Sequence, residues 1–396
     1  MNIDNIPGTT TPFYLYDTDL LRSTLDAIHT EVQHMPHLHV HYAVKANANP
    51  IILREVLAAG LGIDCVSGGE IQTVLDAGFP ASQIVFAGVG KADWEIRLAL
   101  DAGIFCFNVE SKEELEVISQ LAQESGKEAR VCLRINPDVG AHTHSHITTG
   151  RAEDKFGIAM QDMEHVIGLC ALLPNIEFLG LHLHIGSQIL DMADFIALAH
   201  RTNELQDRLE RQGIAVKVIN VGGGLGVDYD NPNAHPVPDF HAYFAVWADH
   251  LVLRPGQELH CELGRSIVAQ CGSLITRVLY VKEGHERKFV IADAGMTDLI
   301  RPALYGARHK IENISVTENL RLTDWLFPVG QTALYDVVGP ICESSDTFAT
   351  DIVLPITRRG DLLAIRSAGA YGETMASCYN CRPLPHGYSI DELSEK

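Results

Sequence analysis

The chain has 396 residues, 46% of them hydrophobic, which is enough for a large buried core and suggests two domains, or one large barrel with something smaller attached. Its 30 basic residues against 51 acidic ones give a formal net charge of -21, which repels nucleic acid and anionic membrane surfaces and points to small-molecule work. No apolar run approaches the length of a membrane span, and the opening MNIDNIPGTTTPFYLYD has neither the basic nor the apolar block of a secretion signal, so a cytoplasmic location is expected.

From residue 18 to about 265 a single unit repeats: a short apolar run, a loop containing Gly or Asn, then a longer amphipathic stretch. The predicted strands are HVHYAV ending near Val44, GIDCV near Val66, IVFAG near Gly88, FCFNV near Val109, VCLRI near Ile135, FLGLHLHI near Ile185, VKVINV near Val221 and LHCEL near Leu263. Helical patterns such as PIILREVLAAG and SKEELEVISQLAQESG lie between them and close on glycine. Eight such units argue for a parallel (β/α)8 barrel of the TIM type over 18–265, with an open doubly wound sheet as the alternative. After Arg265 the helices stop, and SLITRVLYV, KFVIADAG, ALYDVVGPI, DIVLPIT and LLAIRSAG predict an all-β C-terminal domain, sandwich-like or barrel-like, over 266–396. In it, Arg359, Gly360 and Asp361 read as a hairpin turn between two strands, and the terminal SIDELSEK as a frayed polar tail.

The nine cysteines are an odd count, and Cys65, Cys106, Cys132 and Cys261 sit in apolar runs where a thiol acts as a small hydrophobe, so disulfides are not expected. Cys378 and Cys381 have redox or metal spacing but lack a second pair.

In a barrel of this kind the chemistry sits at the C-terminal ends of the strands. The residues there are polar: Lys45, Asp64 with Ser67, Lys91, Glu110, Arg134 with Asn136, His182 with His184 and Ser187, Gly222 to Gly224, and Glu262 with Arg265. Lys45 leaves a strand in YAVKANANP, and a lysine held in a dry site there can condense with an aldehyde cofactor. VGGGLG (221–226) follows a strand but lacks the G-x-G-x-x-G spacing of a dinucleotide turn; its backbone can still cradle a phosphate, with Arg265 sharing the load. HLH puts His182 and His184 on one strand face, which also fits a metallohydrolase, as do the histidines of HTHSH (142–146). Against metal, strand eight supplies ELGR, an arginine beside the carboxylate that would compete for it. One cofactor accounts for the whole set: pyridoxal 5'-phosphate, held by Lys45 at its aldehyde, by Gly222, Gly223, Gly224, Ser187 and Arg265 at its phosphate, covered by His184, and kept protonated at its ring nitrogen by Glu262.

These motifs resemble those of the fold-type III pyridoxal-phosphate decarboxylases, and within them the branch that acts on diaminopimelate. YAVKANANP resembles the lysine motif, HIGSQI the histidine motif and GGGLG the phosphate loop, while the usual EPGR stands here as ELGR, with Leu263 for proline. RPALY (Arg301, Tyr305), GPICESSD (Cys342, Glu343) and GAYG (Tyr371) resemble the substrate-side motifs. The resemblance implies decarboxylation of meso-2,6-diaminopimelate to L-lysine, the last step of lysine biosynthesis, by a homodimer whose two active sites are shared. It assigns the segment around FYLYD (within 1–17) to the β domain, Cys342 to reprotonation of the substrate, Arg301, Tyr305, Glu343 and Arg265 to substrate binding, and Tyr371 to both ligands. Read without the resemblance, Cys342 is a small residue in a β turn. Rival readings are a decarboxylase of ornithine, arginine or carboxynorspermidine, and a non-catalytic relative, which would be expected to lack Lys45 or Cys342; amino-acid racemases are disfavoured because they put arginine where Glu262 stands.

Overall fold

The computed structural model describes residues 10–139, 155–318 and 330–394, so HTHSH lies outside the described residues. The chain forms two compact units: Thr24–Gly226 with Pro238–Ile267, and the described residues of Met1–Ser23, Val227–Val237 and Val268–Lys396.

In the chain's order the elements begin with β1 (Phe13–Tyr16) and α1 (Thr18–His34), and the first of the two units above is then built from β2 (Leu38–Ala43), α2 (Pro50–Ala58), β3 (Gly62–Cys65), α3 (Gly68–Asp76), β4 (Ile84–Phe86), α4 (Asp93–Ala102), β5 (Cys106–Val109), α5 (Lys112–Glu124), β6 (Ala129–Arg134), α6 (Met163–Leu172), β7 (Ile176–His182), α7 (Met192–Glu210), β8 (Val218–Asn220), α8 (Phe240–His250) and β9 (Glu258–Leu263). All eight strands β2 to β9 fall on the predicted runs and close into one parallel barrel, with β9 pairing back onto β2, which excludes the open sheet. Local chemistry sets the helix starts. Asn49, Ser67, Ser111, Asp191 and Asp239 each accept a backbone N–H as the N-cap of α2, α3, α5, α7 and α8, and Pro50 opens α2 where no N–H is needed. Inside the barrel, Val85, Cys106, Cys132, Leu179 and Val218 form an apolar layer. Above and below it the lumen is polar, with His41, Asp64, Asn108, His182, Asn220, His260 and Glu262 all buried. Barrel interiors are ordinarily filled with branched aliphatics, so this polar column marks the lumen as a place of chemistry.

The other unit is a sheet in the order β12 (Ile311–Asn313), β15 (Leu362–Ile365), β10 (Gly272–Glu283), β11 (Lys288–Ala292), β13 (Thr332–Val338) and β14 (Thr347–Pro355). FYLYD supplies β1, which pairs antiparallel with β10 and parallel with β16 (His386–Ser389). Short helices α9 (Arg265–Val268), α10 (Arg301–Tyr305), α11 (Ser315–Glu318) and α12 (Ile390–Ser394) complete the list.

Two local expectations fail. The Arg359–Asp361 turn is not a hairpin, because β14 and β15 on either side pair with other strands; Gly360 and Asp361 instead bond the backbone of Val278 in β10. SIDELSEK is not frayed from its start either: Ser389 ends β16, and Ser389 and Glu392 cap each other reciprocally to open α12. All nine cysteines are free, and Cys65, Cys106, Cys132 and Cys261 are buried as expected. Among the described residues no helix is long and apolar enough to cross a membrane.

Candidate active site

The barrel mouth gathers side chains from six strand ends. Lys45 lies in the single turn Val44–Ala46 that follows β2, and its ammonium is 2.8 Å from Asp64 Oδ2 on β3. The site is less dry than expected on the lysine side: the Lys45 side chain is 40% exposed, whereas that of Asp64 is fully buried. Burial, together with the nearby Glu262 charge, pushes the Asp64 carboxyl up to about 7 even though Lys45 pulls the other way.

A pH dependence follows. The folded chain holds a proton on Asp64 that the unfolded chain gives up at ordinary carboxyl pKa, so this group favours folding most below about pH 4 and loses that contribution as pH rises through about 7. Urea unfolding of the cofactor-free protein at about pH 4 and about pH 8 should show a loss of stability between the two that Asp64→Asn lacks. Identical pH dependence in both proteins would show that Asp64 is an ordinary carboxylate.

Glu262, on β9, is anchored by two buried amides. Its Oε1 accepts from Asn108 Nδ2 (2.9 Å) on β5 and from Asn220 Nδ2 (2.7 Å) on β8. Its Oε2 lies 3.1 Å from His182 Nε2, an ion-pair distance without the alignment of a hydrogen bond. Burial opposes ionisation here, but His182 and then Lys45 outweigh it and hold the carboxyl well below the usual carboxylate range. Glu262 is therefore a fixed anion with one oxygen committed to the two amides and the other beside His182. Asn108 and Asn220 were not singled out from sequence; the signal was one amide next to last in each of the strand runs FCFNV and VKVINV.

His184 accepts the Gly223 N–H at Nδ1 (3.3 Å). Burial, and then the charges of Arg134, Lys45 and His182, keep its imidazole well below its ordinary pKa, so it presents a neutral ring. The glycine loop is required by close approach. A Cβ on Gly223 would lie 1.8 Å from the Glu262 carbonyl, and Gly222, at φ +66, would put one 2.5 Å from the Leu183 carbonyl. The amides of Gly222 and Gly223 already donate to Asn220 Oδ1 and His184 Nδ1. Arg265, almost buried, donates to the Ser187 hydroxyl at 3.0 Å beside this loop.

Other polar strand-end residues are structural. Ser67 caps α3. Lys91 is buried and bonds the Gly88 and Asn108 carbonyls and Glu114. Arg134 and Glu110 neutralise each other at 2.8 Å, and Glu110 also accepts from Gly88 and Gly157.

The remaining candidates belong to the β unit. Arg301, buried, bonds His309 Nε2 at 2.8 Å and lies 4.7 Å over the Tyr229 ring; Tyr305 is half-buried at the end of the same helix. Cys342 and Glu343 are exposed on the β13–β14 connection. That loop is organised by buried Asp346, which accepts from Ile341 and Met296 N–H. The CYNC segment braces it: Asn380 Oδ1 accepts the Cys342 N–H at 3.3 Å, and the Tyr379 hydroxyl bonds Glu343. Tyr371 adopts a left-handed conformation (φ +56) in the turn before Gly372.

The donor set suits a phosphorylated aldehyde with a basic ring nitrogen: an amine at the mouth, a fixed anion in the lumen, a neutral imidazole face, and a glycine cradle too tight for any side chain, flanked by Arg265 and Ser187.

The chain is similar to known proteins along nearly its whole length. The profile of the family described as pyridoxal-dependent decarboxylase, pyridoxal binding domain, matches residues 21–269. The chain is 62% identical to the diaminopimelate decarboxylase of Bacteroides thetaiotaomicron over 391 residues, covering 99% of this chain and 98% of that one. It is similar in structure to Helicobacter pylori diaminopimelate decarboxylase complexed with L-lysine, with TM-score 0.86 and 38% identity over 97% of this chain and 93% of that one. The M. jannaschii diaminopimelate decarboxylase in complex with L-lysine gives TM-score 0.83 and 33% identity over 96% of this chain and 88% of that one.

Proposed function

This chain belongs to the pyridoxal-dependent decarboxylases, and from that membership we infer that it converts meso-2,6-diaminopimelate to L-lysine and CO2, closing lysine biosynthesis. Pyridoxal 5'-phosphate is its cofactor. The observation that carries this reading is the ionised Glu262, anchored by two amides in the lumen of the barrel whose mouth bears Lys45.

When bound, the cofactor serves as the electron sink that makes loss of CO2 from an amino acid's α-carbon feasible. The chain's residues do the rest. Lys45 holds the aldehyde end through its amine, and Asp64 receives the Lys45 ammonium whenever that amine is unengaged. Glu262 keeps the ring nitrogen protonated by a charge-assisted hydrogen bond. His184, neutral, covers one ring face. Ser187, Arg265 and the Gly222–Gly224 loop hold the phosphate, with Gly222 and Gly223 serving mainly to let the backbone approach. Cys342 returns a proton to the α-carbon after CO2 leaves.

The distal end of diaminopimelate carries a carboxylate beside an ammonium, and enclosing that pair calls for a cation and an anion together. Arg301 grips the carboxylate with Tyr305 nearby, Glu343 takes the ammonium, and Arg265 and Tyr371 complete the binding set. The enzyme works as a homodimer in which Cys342 and Glu343 serve the neighbouring subunit's barrel. It is cytoplasmic, a reading supported by nine free thiols.

The test is CO2 release from diaminopimelate, lysine, ornithine and arginine by wild type and Arg301→Ala. Wild type should favour diaminopimelate by about 10⁴-fold, since the others lack the distal carboxylate that Arg301 would bind. Arg301→Ala should lose at least about 10²-fold on diaminopimelate. Equal handling of ornithine by wild type would make this a different basic-amino-acid decarboxylase.

A further inference from the structure

The barrel end opposite the catalytic mouth carries a second polar group of its own. His39, near the start of β2, and His260, in β9, are register partners across the seam where the barrel closes, and Glu258 lies two residues before His260 on the same strand face. Glu258 Oε2 is 3.3 Å from His260 Nε2 and 4.0 Å from His39 Nε2, and the three ligand atoms lie within 4.8 Å of one another. They border a cavity of about 610 Å³ that also touches Leu38 and Phe105. His39 and Glu258 are about half exposed, while His260 is buried.

The hydrogens of this group are linked through one histidine pair. His41 is buried near the carbonyls of Gln83 and Ile63, and its Nδ1 has no aligned hydrogen-bond partner. His41 Nε2 and His260 Nδ1 share one hydrogen across 2.8 Å, its donor set by the tautomer. His260 Nε2 in turn meets a Glu258 carboxylate oxygen at 3.3 Å, and in the tautomer that carries the shared hydrogen on Nδ1 it turns a lone pair toward that oxygen. Two acceptors at that distance repel unless a cation joins them. A histidine whose other nitrogen donates to a fixed neighbour is the usual form of a metal-ligating imidazole.

We propose that His39, Glu258 and His260 form a divalent transition-metal site of the zinc type that staples the barrel seam. Two imidazoles and one carboxylate with an open fourth position suit zinc, cobalt or nickel rather than magnesium or calcium. Ligands of a tetrahedral zinc stand about 3.4 Å apart, so the Glu258–His260 spacing of 3.3 Å fits as it is and the exposed His39 closes by a swing of about 1.5 Å. Groups at this end of a barrel bear on stability rather than chemistry. The seam matters because β2 leads into Lys45 and β9 carries Glu262, so the metal ties together the two strands that bear the cofactor's main contacts.

Cobalt(II) titrated into the holoenzyme tests this. The expected result is one equivalent per chain, with d–d bands, no thiolate-to-metal charge transfer, and displacement by zinc. The band should vanish in His39→Ala and in Glu258→Gln, both half-exposed positions whose loss leaves the fold intact. Zinc should raise the melting midpoint of wild type but of neither variant, while decarboxylation without added metal stays unchanged in both. Retention of the band in both variants, a spectrum dominated by thiolate charge transfer from Cys342, Cys378 or Cys381, or no binding at micromolar cobalt would overturn the assignment.

Discussion

Replacing Glu262 with glutamine is expected to leave pyridoxal phosphate bound and to lower kcat about 10³-fold. Asn108 and Asn220 both donate to Glu262 Oε1, so a glutamine must keep its carbonyl oxygen there. Its NH2 then occupies the place of Oε2, beside His182, where the proposed site would put the cofactor's ring nitrogen. A donor cannot accept the ring N–H, and the anion that balanced it is gone. Breaking one side of a buried charge pair costs about 3–5 kcal/mol, which is roughly 10² to 10⁴ in rate if the charge is needed in the transition state. Binding should survive because Lys45, Arg265 and the glycine loop are untouched. The absorbance of the bound cofactor reports retention and CO2 release reports rate; unchanged turnover would remove the electron-sink role of Glu262.

The second large effect comes from mixing two inactive proteins. If Lys45 supplies the amine that carries the cofactor and Cys342 the proton, the Lys45→Ala and Cys342→Ala proteins should each fall on the order of 10⁴-fold. If each active site combines the barrel of one subunit with Cys342 of its partner, a hybrid dimer holds one site with both defects and one with neither. Random reassociation makes about half the dimers hybrids, and about a quarter of wild-type activity should return. No recovery after proven subunit exchange would place Cys342 in its own subunit's site or outside catalysis.

The barrel was legible because parallel strands covered on both faces are written as unbroken apolar runs, and all eight were found where such runs stood. The mouth was legible because Lys45, His184, the glycines and Glu262 break those runs at the ends. What escaped was the support around them. Asn108 and Asn220 come from strands far apart in sequence, and only barrel closure brings both amides onto Glu262. The pairing of Lys45 with Asp64, and the lysine's partial exposure, depend on the same closure. In the β unit these strands were visible but the order was not, since β13 pairs with β11 and β15 with β10 across long connections; the choice made by β15 is why the Arg359–Asp361 turn proved not to be a hairpin. Cys378 and Cys381 drew notice for their spacing, yet it is Tyr379 and Asn380 between them that hold Glu343 and Cys342.

The central claim is that Lys45 carries the cofactor. Borohydride reduction of the holoenzyme, followed by proteolysis and mass spectrometry, should fix the pyridoxyl group to a single peptide, the one containing HYAVKANANP, with the modification on Lys45. Attachment at any other lysine, or at none, would contradict the account of the site.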